Sequence, residues 1–358
     1  MTTESTETAA ETAAGAAAAA PAATPGKPRN NRVAPPSLLR RYGSQMGIIG
    51  VGLMMWLAFV VAAPAVFTNV NIYLAFAQTT PQFGIIAIAL TFVVITGEID
   101  LSFPSIMALG TAAFALLVPM GVPWYLGLVA AFATGAICGW INGTLVSWLN
   151  IPSLVITIGT SFLFRGLELV LMNGTGVPLT AEEYPEMHAI FRSTPFGMPI
   201  QTIWMVVILI GAWFLLNRTR FGAHVFLVGD NPTSARLMGI NAVSVKTRAF
   251  ILVGLMATFS GLMTSIYGYY FWPTTGEGFL LNTIASVFLG GTSVFGGTGS
   301  VVGTFVASYI IGAINAGIVS AGINAFYTQL AFGLVIIVSV VLQTLIDRKI
   351  RRQSLTGR

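Results

Sequence analysis

Charge is what this chain has least of. Only 8% of its residues are Asp, Glu, Lys or Arg, against 55% hydrophobic, and the mean hydropathy is +0.82. So little polar surface cannot cover a water-soluble globule of 358 residues. An ordinary soluble enzyme is excluded, and the chain reads as a polytopic membrane protein. Cys138 is the single cysteine, which rules out an intramolecular disulfide and a cysteine-rich metal site. The two histidines, His188 and His224, fall in expected loops on opposite sides of the membrane and cannot share a metal. Lysine is nearly as scarce, with Lys27, Lys246 and Lys349 the only three. A phosphate-binding P-loop needs G-x-x-x-x-G-K-[ST], and none of the three stands in that context. "FGGTGSVVG" is glycine-rich without a lysine and reads as a tight turn between apolar spans. No nucleophile–base or metal constellation is visible, so no catalytic residue, metal or cofactor is expected. The pI near 9.6 does not mark a nucleic-acid binder, because the basic residues flank apolar segments instead of forming a stripe with aromatics.

What is present is a series of long apolar runs. Between Tyr42 and Phe164 the only formal charges are Glu98 and Asp100, and between Ala249 and Ile346 the only one is Glu277. A span needs roughly 20 apolar residues. The expected fold class is all-α, a polytopic transmembrane bundle of about ten helices at roughly 45-63, 71-95, 102-120, 123-147, 152-172, 200-217, 248-270, 279-295, 300-320 and 325-345; eight helices would also keep both ends on one side. Residues 1–44 are low-complexity Ala, Thr, Glu and Pro and are expected to be a disordered tail. The transmembrane domain is expected over 45–347, with a basic tail at 348–358. Lys27, Arg29, Arg32, Arg40 and Arg41 place the N-terminus in the cytoplasm by the positive-inside rule. The count then puts the basic 218–248 connection and the C-terminus inside, and the acidic 173–199 connection outside. Small residues recur along the spans, as in "ATGAICGWINGT", and predict close helix packing.

The stretch "ITGEIDLSFPS" raises its own question. Asp100 or Ser102 can cap the next span, with Pro104 in its first turn. Glu98 is open between two readings: solvated at the cytoplasmic interface, or facing a watery pathway. Arg165 and Glu168, three apart, can meet on one helix face, as an ion pair or as a polar gate. Tyr270 and Trp272 fit an aromatic belt or a contact with ligand or binding protein.

"TGEIDLSFPSIMALG" resembles the "TGGIDLSVGS" motif of permease subunits from bacterial ATP-binding-cassette importers of the ribose, xylose and galactose type. "NIPSLVITIGTSFLFRGL", "FGAHVFLVGDNPTSARLMGINAVSVK" and "LGGTSVFGGTGSVVGTFVASYIIGAINAGI" extend the resemblance over about Ile48 to Arg348. There are departures. Glu98 stands where the family usually has Gly, and "GFLLNTIAS" puts Leu280 and Asn282 where it has an acidic pair.

Within the third motif, Asn231 can cap, Pro232 suits the first helical position and Gly239 a stop, so a short helix is expected. The resemblance implies that this is a coupling helix seated in an ATPase subunit, with Gly229, Asn231, Pro232, Arg236, Leu237 and Gly239 carrying the coupling. Glu98, Asp100, Ser102, Arg165, Glu168 and Asn282 are then candidates for the pathway or its gate. The resemblance further implies a homodimer in the bacterial inner membrane that imports a monosaccharide, ribose- or fructose-like, with a separate ATPase and an extracytoplasmic binding protein as partners. Two alternatives stay open at this point: a proton-coupled secondary transporter using Glu98 and Asp100, and an importer of nucleosides or branched-chain amino acids.

Overall fold

The structure, a computed structural model, describes residues 53–355 apart from 55, 58, 62, 321, 323 and 325. The tail at 1–44 and part of the expected span at 45–63 lie outside the described residues, as do most side chains beyond Val341. In chain order the elements used below are α1 (Val70–Ile95), α2 (Phe103–Leu117), α3 (Trp124–Leu149), α4 (Ser153–Met172), β1 (Val177–Pro178), α5 (Pro185–Arg192), α6 (Ile200–Arg218), α7 (Arg220–Asp230), α8 (Pro232–Leu237), α9 (Ala242–Tyr267), β2 (Tyr270–Phe271), α10 (Phe279–Leu289), α11 (Val301–Ser320) and α12 (Phe326–Leu355). Among the described residues seven helices, α1, α2 with its 3-10 extension to Met120, α3, α4, α6, α9 and α11, are long and apolar enough to cross a membrane, and α10 and the first part of α12 are shorter apolar helices. The all-α expectation holds; the only sheet among the described residues is the two-residue antiparallel pair β1–β2.

Helix α1 is the centre of the bundle, buried without interruption from Thr80 to Ile95. It contains Pro81, which cannot donate to the carbonyl of Ala77 one turn back. Thr202 of α6 takes that carbonyl, its Oγ1 donating at 2.6 Å, so no backbone acceptor is left bare in an apolar layer. The tightest helix pair is α3 against α9. Gly135, Gly139 and Gly143 are four apart and share one face. A Cβ on them would lie 2.5 Å from the Gly254 carbonyl, 2.4 Å from that of Phe250 and 2.5 Å from Thr247 Cα. In lipid, where burial of apolar surface does not drive helices together, this close approach supplies the packing attraction.

The two ends of the bundle differ in charge. At one, the stretch from the last residue of α6 to the second turn of α9 holds Arg218, Arg220, Arg236, Lys246 and Arg248. It contains two helices where one was expected: α7, capped by Thr219 on Gly222 N–H, precedes α8. At the other, acidic end, the 173–199 connection folds into β1 and α5 instead of an irregular loop. Trp124 Nε1 donates to Glu186 at 2.6 Å. The Arg192 guanidinium lies 3.7 Å from the centre of the Tyr269 ring, and His188 stacks on that ring at 5.0 Å. The expected span at 279–295 is corrected: α10 stops at Leu289, where Gly290 and Gly291 (φ +85°) turn the chain into the 292–300 loop.

Candidate functional site

With 11 residues, α10 is about 16 Å long at 1.5 Å per residue, roughly half of a hydrocarbon layer of about 30 Å. The segment before it, residues 272–278, therefore re-enters the bundle from the acidic end as non-helical backbone. Gly276 (φ +91°) lies so close to α2 that a Cβ would be 2.4 Å from the Pro104 carbonyl, a conformation and a clearance that only glycine meets. Backbone carbonyls at such depth must be satisfied by protein, and Arg165 of α4 does this. Its guanidinium donates to the Pro273 carbonyl and, at 3.1 Å, to that of Thr275, and reaches the Pro104 carbonyl at 3.5 Å. The planar fork of arginine suits this multiple contact. Glu168, one turn along α4, is fully buried with its Oε2 3.8 Å from Arg165, and neither carboxylate oxygen accepts a hydrogen bond. The carboxylate balances the charge while the guanidinium's hydrogen bonds go to the re-entrant turn.

Arg165 also lines a cavity of about 300 Å³ that is open on one side, with Leu101, Pro104, Ser161, Gly276 and Glu277 among the other residues of its wall. Ser105, also on its wall, bonds Ser161 at 3.1 Å. Its wall is mostly apolar and also carries Ser105, Ser161, Arg165 and Glu277, and its volume is at the small end of ligand-site volumes.

Asp100 belongs to a separate buried cluster next to the wall residue Leu101. Its Oδ1 accepts from Ser102 N–H at 2.8 Å and Ser102 Oγ at 2.7 Å, and Ser102 Oγ accepts from Asn142 Nδ2 at 2.6 Å. Neither residue caps α2 by its side chain as expected: Ser102 holds the N-cap position without a cap bond, its hydroxyl turned to Asp100. Burial pushes the Asp100 carboxyl up to about 6, while the Ser102 and Asn142 bonds pull it down. The folded chain thus binds this proton more tightly than the unfolded chain does. Stability from this group is full below the ordinary value of 3.8 and is lost as pH rises toward about 6. Thermal unfolding in detergent should show that decline between about pH 4 and 6, and Asp100→Asn should flatten it while leaving transport within about twofold, because the amide keeps the shape and an acceptor for Ser102.

At the basic end, Asn231 Oδ1 accepts from Ser234 N–H at 2.9 Å, Pro232 opens α8, and Gly239 (φ +80°) follows its end. Ala235 is buried beneath the helix, whereas Arg236 and Met238 are exposed and Leu237 is 86% exposed. Gly229, at the end of α7, packs onto the last carbonyl of α1. Glu98 is ion-paired with Lys246 and does not line the cavity. Neither does Asn282, whose carbonyl accepts from Ser286. Tyr270 lies in β2 with its ring 4.4 Å from that of Trp272, which is exposed at the acidic end.

Of the six pathway candidates, only Arg165 lines the cavity. Glu168 pairs with it, Asp100 and Ser102 sit one residue either side of Leu101, and Glu98 and Asn282 are elsewhere. Sequence reasoning missed Glu277, Ser105 and Ser161. The available signal was the run Pro273, Gly276 and Gly278, too rich in helix breakers to continue a span.

The family described as "Branched-chain amino acid transport system / permease component" matches residues 72–340. The ribose import permease protein RbsC of Escherichia coli (strain K12) is 32% identical over 84% of this chain and 92% of its own length. RbsC of Bacillus subtilis (strain 168) is 34% identical over 74% of this chain and 81% of its own. The autoinducer 2 import system permease protein LsrD of Salmonella typhi is 31% identical over 84% of this chain and 92% of its own. No solved structure matches. The family match covers well over half of the chain, and the curated relatives are similar over nearly their whole length: the chain belongs to this family of transport-system permease components.

Proposed function

We propose that this chain is the membrane-spanning subunit of an ATP-driven importer of a monosaccharide, ribose- or fructose-like, acting as a homodimer in the bacterial inner membrane. The observation that carries the reading is α8: a capped, two-turn helix at the basic end, presenting Arg236, Leu237 and Met238 outward with its buried side anchored at Ala235. By the positive-inside rule that end faces the cytoplasm, with both termini. An exposed apolar-and-basic helix fixed there suits the groove of an ATPase subunit. ATP hydrolysis belongs to that separate subunit. The relatives whose names specify ribose and autoinducer 2 import support a small hydroxylated solute, as does the small cavity that Arg165 lines.

An extracytoplasmic binding protein would deliver the solute to the acidic end, where Tyr270 and Trp272 sit. A second copy would cover the exposed apolar face of α4, which carries Val155, Ile158 and Phe162 and of which Phe162 lines the cavity; the other apolar faces meet lipid. ATP-dependent closure of the partner shifts the dimer between inward- and outward-open populations, and only a difference in the partner's affinity for the two states can drive that shift. Glu98 is ion-paired with Lys246 and Asp100 accepts from Ser102, and the relatives, named as import permeases, do not favour the secondary-transporter reading.

Arg236→Glu should release the ATPase from the purified complex and reduce ATP-dependent uptake at least about tenfold, the change expected from placing one like charge across a docking face. Retained co-purification with unchanged uptake would remove α8 from the docking face. A panel of pentoses, hexoses, a nucleoside and leucine identifies the solute class in the same assay.

A further inference from the structure

Glu98 needs an explanation, because it lies in an apolar stretch and does not line the cavity. Its Oε1 is 2.5 Å from Lys246 Nζ, and the two side chains are only 15% and 16% exposed. Lys246 is in the second turn of α9, directly after α8. The chain preceding α8 is fixed at the same place. Gly229, two residues before the cap Asn231, leaves a Cβ position only 1.7 Å from the Ile95 carbonyl and 2.7 Å from Gly297 N, and Gly297 N–H donates to that carbonyl at 2.9 Å. Gly296 closes the joint, its Cβ position 2.9 Å from Gly97 N and from the Gly229 carbonyl. The end of α1 and the turn that follows it thus meet the coupling segment on both sides of α8: before it through Ile95 and, by way of Gly296, Gly97, and after it through Glu98. On its other side the turn reaches α4, where Ile99 N–H donates to Ser153 Oγ at 3.1 Å, and it runs directly into Leu101 and Pro104 on the cavity wall.

We infer that the 96–102 turn is the mechanical link between α8 and the cavity, and that the Glu98–Lys246 ion pair is the tie that makes the turn follow α8 in both directions. The inference rests on the proposed docking of α8 to an ATPase. The glycine joint is backbone against backbone without slack. Such a contact resists approach steeply but resists separation only weakly, since each atom pair gains little from dispersion. An ion pair largely shielded from water resists separation over a longer range. Together they transmit a push and a pull, which a cycle of opening and closing requires. Glu98 and Lys246 are thus positioning residues that act on the cavity through Leu101 and Pro104.

The test uses the whole complex of permease, ATPase and binding protein in liposomes, reading ATP hydrolysis and labelled ribose uptake together. Glu98→Gln and Lys246→Gln should each keep the ATPase bound and hydrolysing while lowering uptake per ATP at least about fivefold, the lower range of coupling effects. The exchange variant, Glu98→Lys with Lys246→Glu, should recover most of that loss, as a pairwise interaction requires. Wild-type uptake per ATP in both single variants would overturn the inference. So would an exchange variant as impaired as the singles, which indicates disturbed folding instead of a lost tie. A wild-type complex that hydrolyses ATP but takes up no sugar would defeat the transport reading itself and this inference with it.

Discussion

Replacing Arg165 with leucine should lower uptake about a hundredfold, the largest single-site effect expected outside the docking helix. Removing one partner of a buried ion pair costs about 3–5 kcal/mol, because the other charge stays buried. Here Glu168 would be that charge, and it has no other partner among the described residues. The carbonyls of Pro273 and Thr275 would lose their donor as well, each unsatisfied group costing about 1–3 kcal/mol. Lysine in place of Arg165 should fall between, about tenfold down, because a point-like ammonium keeps the charge but cannot span several carbonyls. A double change, Arg165→Leu with Glu168→Leu, separates folding from function. It removes both charges, so part of the lost thermal stability should return, but the carbonyls of the re-entrant turn stay unclamped and uptake should not recover. Recovery of uptake in the double variant would show that Arg165 serves only to neutralise Glu168.

Gly229→Ala should be the second most damaging change. The added methyl would sit 1.7 Å from the Ile95 carbonyl oxygen and 2.7 Å from Gly297 N. Both are backbone, so no side chain can swing aside. Overpacking costs about 1–3 kcal/mol where side chains can adjust, and this site has less freedom than that. Either α7 lifts from α1 or the 295–297 turn gives way, and in both cases the joint next to α8 opens. Uptake should fall at least about tenfold, with α8 still able to bind the ATPase through Arg236 and Leu237. Gly211 provides the contrast: it is exposed on α6 with nothing within 4 Å of its Cβ position. Gly211→Ala should leave uptake unchanged and stabilise the helix by about 0.5–1 kcal/mol. Thermal unfolding and uptake measured on both variants check the pair.

The boundaries of α8 were legible because helix caps are local. Asn231, Pro232 and Gly239 lie within nine residues and each acts on its own neighbours. The Arg165–Glu168 pair was legible for the same reason, being three apart on one helix. What Arg165 does was not, because its carbonyl partners lie 61 to 110 residues away. The re-entry at 272–278 was hidden by composition: "GFLLNTIASVFLG" is apolar enough to pass for a full span, and the hydropathy pattern does not register where the helix begins in depth. Helix α7 escaped because "HVFLVG" is too short to stand out beside real spans, and its register depends on Gly229 fitting against α1. Glu98 was recognised as an anomaly, but its partner Lys246 is 148 residues on. Topology placed both at one end of the bundle; only the packing of α9 beside the 96–102 turn brings them together.

The most direct test of the central claim is labelled ribose accumulation in liposomes holding this chain with its ATPase and binding protein, with ATP supplied to the ATPase side and a protonophore present. The account predicts accumulation that requires ATP and the binding protein and is unaffected by the protonophore. Accumulation without ATP that collapses when the proton gradient is dissipated would contradict it.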